Sequence, residues 1–184
     1  MTNSLNYFLS IIFFTLILIV NVKASESFVF NVTEIEVLEN GNQINGYRGG
    51  TAISEDGSKI IGKNFFYNKL TIILEVSGDV KYLDKIKNLI ITTNKVIYLK
   101  NKEKIYTSGN SKAVNENNTI TALNLEYDKI NNIFTAKRDA VIEDFEKKAT
   151  IYADEITYLK NEEKAYASGN SKAVNENNTI TALN

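Results

Sequence analysis

Any chemistry done by this chain falls to carboxylates, lysines and tyrosines, because its 184 residues include no histidine and no cysteine. The commonest general base, the commonest transition-metal ligand and the thiolate nucleophile are therefore all missing. The densest acidic group is Asp154, Glu155, Glu162 and Glu163. Paired carboxylates can hydrolyse glycosidic bonds or hold a hard cation. Here Lys160 and Lys164 stand beside them, and mixed charge of this kind reads as a solvated face. The glycine-rich segment Gly41 to Gly50 (GNQINGYRGG) lacks the Lys-Ser/Thr ending of a phosphate-binding loop and reads as a hairpin. No metal, cofactor or catalytic residue is expected.

Charge excludes another class. The chain carries 21 basic and 22 acidic residues, interspersed rather than blocked, so the electrostatic footprint of a nucleic-acid binder is absent.

Two long-range features organise the sequence. The first is an apolar run, Phe8 to Val20, followed by Val22-Lys23-Ala24 with small residues suited to cleavage after Ala24. It resembles a secretory signal peptide, although its amino-terminal flank has no Lys or Arg. Thirteen residues are too few to cross a bilayer core, which takes about 20 in a helix. Residues 1–24 are thus expected to be a signal peptide and residues 25–184 an exported domain.

The second is a repeat. SGNSKAVNENNTITALN occurs at Ser108 to Asn124 and, unchanged, at Ser168 to Asn184. This sixty-residue period divides into units of about thirty that begin at Ile60, Ile90, Ile120 and Ile151 and carry Tyr67, Tyr98, Tyr127 and Tyr158. Eleven residues after each tyrosine comes one slot, filled by Gly78, Gly109, Arg138 and Gly169. The last copy ends partway through a unit, and the natural product is expected to be longer.

The units read as strands, since Ile, Val, Thr, Tyr and Phe dominate them and Asn, Asp, Gly and Lys punctuate them. Alternation is clear in the second half of each unit, as in Phe134, Ala136, Ala140 and Ile142. In the first half the apolar parity slips by one, as in Ile120, Ala122, Leu125 and Tyr127. An uncompensated slip would turn half the strand inside out, so each unit must bend or bulge there. Small residues at Gly62, Ala122 and Ala153 suit such a corner. The expected architecture is all-β: a stack of bent rungs around an elongated apolar interior, with exposed backbone at its terminal rungs.

The unit I-x-A-(D/N)-x-(I/L)-x-Y-(D/L)-K, seen in ITALNLEYDKINNIFTAKRDAVIED and IYADEITYLKNEEKAYASGNSKAV, resembles the OstA-like domain of lipopolysaccharide-transport proteins. The resemblance runs from about Phe28 to Asn184. It implies a β-jellyroll that shields lipopolysaccharide acyl chains across the periplasm and pairs edge to edge with other jellyroll modules. It further implies an outer-membrane β-barrel as partner or as the continuation of the same chain, the setting being most like the amino-terminal part of the outer-membrane assembly protein. Arg138 departs from the glycine slot, and its turn is expected to be shaped differently.

The candidate lipid-facing residues are Leu125, Tyr127, Phe134, Ile142, Ile156 and Tyr158, which an ordinary dry core would use equally well. Small residues at Ala122, Ala136, Ala140, Ala165 and Ala167 point to spare room inside. The rival functions are a secreted β-solenoid adhesin with a dry core and a carbohydrate-active β-helix enzyme. The second needs exposed aromatics in successive rungs, whereas Tyr and Phe here recur in apolar slots.

Overall fold

The structure, a computed structural model, describes residues 27–176 and 178–182; the expected signal peptide, residues 1–24, lies outside them. The described chain forms fifteen strands: β1 (Phe28–Leu38), β2 (Gln43–Ser54), β3 (Lys59–Gly62), β4 (Asn64–Asn68), β5 (Ile73–Asp84), β6 (Leu89–Leu99), β7 (Lys104–Ser108), β8 (Ser111–Val114), β9 (Asn118–Ala122), β10 (Asn124–Asp128), β11 (Ile133–Asp144), β12 (Ala149–Leu159), β13 (Lys164–Ser168), β14 (Ser171–Asn175) and β15 (Thr179–Ala182). They join in one sheet, and every pairing among the described residues is antiparallel. This separates the fold from a β-solenoid, whose coils stack in parallel.

Long strands alternate with pairs of short ones. One end of β2 pairs with β4 and the other with β3; β6 likewise pairs with β7 and β8, β11 with β10 and β9, and β12 with β13 and β14. The short strands are interrupted where the long ones bend, so the sheet folds into two walls. The first wall carries β4, β7, β10 and β13 with the tyrosines of the repeat. The second carries β3, β8, β9, β14 and β15. The bend falls at the parity slip, between Thr93 and Val96 in β6 and between Ala153 and Ile156 in β12; facing it, register shifts fall between Ser77 and Val80 in β5 and between Lys137 and Ala140 in β11. Two residues there oppose one on the partner strand, which is a β-bulge.

Backbone groups at the bend remain paired, as buried amides must. Gly49 N donates to Lys63 O at 2.8 Å, Lys63 N to Ser77 O at 2.9 Å, Gly109 N to Leu123 O at 2.9 Å, Leu123 N to Arg138 O at 2.9 Å and Asp154 N to Gly169 O at 2.8 Å. The result is a hydrogen-bonded spine down the corner. Gly62 shows how tight it is: a Cβ there would lie 2.3 Å from Val76 Cγ1.

Two expectations are corrected. The turn at Arg138 is not differently shaped: Arg138 and Asp139 have φ of 65° and 53°, matching 83° and 49° at Gly78 and Asp79. The spine bond to its carbonyl and the paired strand halves on either side hold arginine in a left-handed conformation that glycine adopts freely. The segment from Gly41 to Gly50 is not a hairpin either. The chain reverses over a short 3-10 turn, Glu39–Gly41, and residues 43 to 50 already belong to β2.

The interior is apolar from rung to rung, with Ile60, Leu74, Val76, Tyr82, Ile91, Tyr98, Ile105 and Tyr127 all buried. The duplicated segment shows what covering by a neighbouring rung contributes. In the first copy Ile120 is 1% exposed, while its twin Ile180, on terminal β15, is 70% exposed. Ala122, Ala136 and Ala140 are buried as interior residues, but Ala165 is only partly buried and Ala167 is exposed. Both sit on β13 opposite Tyr158 and Ile156, and β13 pairs only with β12 among the described strands.

Candidate functional site: the interior slit and its lips

The six sequence-predicted residues come together. Leu125 and Tyr127 on β10, Phe134 on β11, and Ile156 and Tyr158 on β12 are buried on the first wall, and Ile142 is buried on the second. Register explains the grouping: Tyr127 opposes Phe134, which opposes Tyr158, while Leu125 opposes Ala136, which opposes Ile156. Adjacent strands thus place an aromatic row and an aliphatic row side by side. Tyr127 and Phe134 stack with centroids 4.4 Å apart and planes 11° from parallel.

This apolar face continues into the terminal strands. At one end Ile35 and Val37 of β1 oppose Gly46 and Ile44, and they are 54% and 56% exposed. At the other end Ile180 opposes Ala173 and is likewise uncovered. Between the ends, Tyr82, Tyr98, Tyr127 and Phe134 fill the middle.

Tyrosine rings lie inside while their hydroxyls reach the slit between the wall tips, as amphipathic side chains do. Tyr127 donates to Asn132 Oδ1 at 3.2 Å, Tyr98 to Glu103 Oε2 at 2.5 Å and Tyr82 to Asp84 Oδ2 at 3.2 Å, and Tyr158 accepts from Asn118 Nδ2 at 3.0 Å. Burial pushes the phenols of Tyr82, Tyr98 and Tyr127 far above their ordinary value, with Asp84 adding to the rise at Tyr82 and Tyr127 and Glu103 at Tyr98. They remain neutral donors and have no role as bases.

The turns that form the lips meet across the slit. Lys129, in the β10–β11 turn of the first wall, bonds Asp56, in the β2–β3 turn of the second, at 2.5 Å. Lys87 of the β5–β6 turn donates to the Lys129 carbonyl. Further along, Lys147 and Glu163 pair at 3.2 Å beside a cavity of about 130 Å³ lined by Lys87, Asn118, Tyr158 and Lys160 as well. Of these lip residues, Asp56, Lys87, Lys129 and Lys147 were not singled out as a site by sequence reasoning. The signal was present nonetheless: a lysine follows each unit tyrosine at the second position, as Lys69, Lys100, Lys129 and Lys160.

The acidic group disperses. Asp154 bonds Asn170 at the corner, Glu155 pairs with Lys137 at 3.7 Å, Glu162 with Lys164 at 2.9 Å and Glu163 with Lys147. Among the described residues no three His, Cys, Asp or Glu side chains are grouped to hold a metal ion.

Bent antiparallel rungs, a bulged corner spine and an apolar interior between two walls define an all-β jellyroll. No family model matches the chain, and no curated protein matches it significantly by sequence. Among solved structures, it is similar to the crystal structure of LptH, the LptA-homologous periplasmic component of the conserved lipopolysaccharide transport device from Pseudomonas aeruginosa. The TM-score is 0.55 at 14% identity, over 60% of this chain and 82% of that one. The fold is thus LptA-like.

Proposed function

We propose that this chain is a non-enzymatic lipopolysaccharide transport module, working in the periplasm after removal of residues 1–24, with residues 25–184 as its jellyroll domain. The observation that carries the reading is the apolar face that runs through the rungs and stays uncovered at Ile35 and Val37 of β1. A dry core would be sealed at its ends, whereas a conduit needs apolar surface where the next carrier takes over. Leu125, Tyr127, Phe134, Ile142, Ile156 and Tyr158 are the residues assigned to contact acyl chains. Burying one methylene is worth about 0.8 kcal/mol, so sheltering ten of them offsets about 8 kcal/mol of exposure to water. No catalytic group is needed for that.

The edge strand β1 is the surface assigned to pairing with a further jellyroll module. Within this function we propose the setting of the soluble arm of an outer-membrane assembly protein. A reading frame that continues past codon 184 into alternating strands with aromatic girdles supports the arm, and a stop codon there leaves the choice between a soluble bridge and a decaying gene.

The test is native mass spectrometry of the purified chain incubated with lipopolysaccharide. The reading predicts a stoichiometric complex that is lost when Phe134 and Ile156 are both changed to Asp in a chain that still folds. Absence of any complex with the unaltered chain contradicts it. A dry-core surface protein, which the filled middle of the interior favours, gives that second result.

A further inference from the structure

We propose that Lys129 is the bolt of a latch that holds the slit closed at its middle, and that an apolar chain enters the interior when this contact parts. The inference rests on the transport reading above.

Four segments converge on this one residue. Its ammonium lies 2.5 Å from Asp56 Oδ2, 3.2 Å from the Tyr98 hydroxyl and 3.4 Å from Glu103 Oε2. Its backbone is engaged too: the amide donates to Glu103 O at 3.0 Å and the carbonyl accepts from Lys87. Asp56 and Lys87 belong to turns of the second wall, and Glu103 and Lys129 to turns of the first. Parting the walls here breaks the Asp56 and Lys87 contacts together, which makes the closure cooperative.

The bolt sits on the plug. Lys129 Nζ lies 5.9 Å from the ring centroid of Tyr82 and 5.4 Å from that of Tyr98, two of the rings that fill the middle of the interior. Its side chain is 6% exposed, whereas the neighbouring cross-slit pair Lys147 and Glu163 is more than half exposed on both sides. With Lys129 buried and Asp56 36% exposed, the pair is a poor permanent fastening, because desolvating the ammonium offsets much of its attraction to the carboxylate. It is a good reversible one, since opening returns both charges to water.

The lips above it offer a landing for an apolar chain. Ile86 and Ile130, 81% and 70% exposed, flank a cleft of about 160 Å³ whose floor includes Asp56, Glu103 and Lys129.

The experiment compares the full chain with Lys129→Met and Asp56→Asn. Two readouts are taken: amide hydrogen exchange in the 84–88 and 129–132 turns, and uptake of the fluorescent apolar probe N-phenyl-1-naphthylamine. The latch predicts exchange at those turns faster by about tenfold in both variants, with the terminal strands unchanged, and greater probe uptake. Exchange and uptake equal to the unaltered protein in both variants overturn it. Faster exchange in the lips with no probe uptake by any of the three proteins overturns the entry of an apolar chain, and the transport reading with it, and leaves the contact only as a structural closure of the slit. Since the chain has no cysteine, an Asp56→Cys, Lys129→Cys double variant carries the only two thiols. Joining them with a short bis-maleimide is expected to abolish uptake, and unchanged uptake after joining also overturns the latch.

Discussion

Tyr127 and Phe134 stack face to face at 4.4 Å across the β10–β11 hairpin, in the middle of the interior, and each is almost fully buried. The pair closes one rung and supports the next, because Phe134 also opposes Tyr158 on β12. Phe134→Ala is expected to cost about 3–5 kcal/mol by transfer and cavity terms together. Phe134→Leu should cost less than half as much, and urea unfolding of both variants checks the order.

The corner spine makes a second expectation. A methyl at Gly62 would collide with Val76 Cγ1 at 2.3 Å, and overpacking of this kind costs about 1–3 kcal/mol. Gly62→Ala should therefore be destabilising, and adding Val76→Ala should give a double variant more stable than the sum of the two single losses predicts. A thermal-melt double-mutant cycle measures the coupling.

Arg138 gives the opposite sign. Its φ of 65° carries a left-handed strain that glycine does not. Arg138→Gly should stabilise by about 1 kcal/mol, seen as a rise in Tm of about 2–4 °C. A fall in Tm would show that the arginine side chain has a structural task at the corner.

Acid should loosen the slit before it unfolds the rungs. Burial pushes the Asp56 carboxyl up, but hydrogen bonds from Lys129 and from the Ser58 hydroxyl and amide, with the Lys129 charge, hold it far below its ordinary 3.8. Glu103, raised by burial but lowered by Lys100, Tyr98 and Lys129, shifts the same way. Asp84 and Lys87 also line this part of the mouth. A folded pKa below the unfolded one gives stability that is present above pH 4 or so and is lost as pH falls through the folded value. Stability of the unaltered protein should accordingly drop below about pH 4 more steeply than that of Asp56→Asn, in unfolding curves taken at successive pH values.

Much of this fold is legible in the sequence, for identifiable reasons. The tyrosine, the glycine slot and the parity slip recur because each marks a distinct backbone requirement of one rung: a wall, a bulge and a corner. The six interior residues are legible because alternation has a strict period of two. Burial at the ends is not, since Ile120 and Ile180 stand in identical sequence and differ only in whether another rung covers them. The turn at Arg138 misled for a related reason: local propensity disfavours a left-handed arginine, and the paired strands around it override that preference. The latch escaped because Asp56 and Lys129 are 73 residues apart. The lysine after each tyrosine is visible as a pattern, but its partner is set by how the two walls close.

The most direct test of the central claim places the photo-crosslinking residue p-benzoylphenylalanine at Phe134 and Tyr158, inside the slit, and at Tyr166, exposed on β13, in cells that make lipopolysaccharide. A conduit predicts lipopolysaccharide adducts at Phe134 and Tyr158 and none at Tyr166. No adduct at either interior site, with the cross-linkable protein folded and exported, would contradict it.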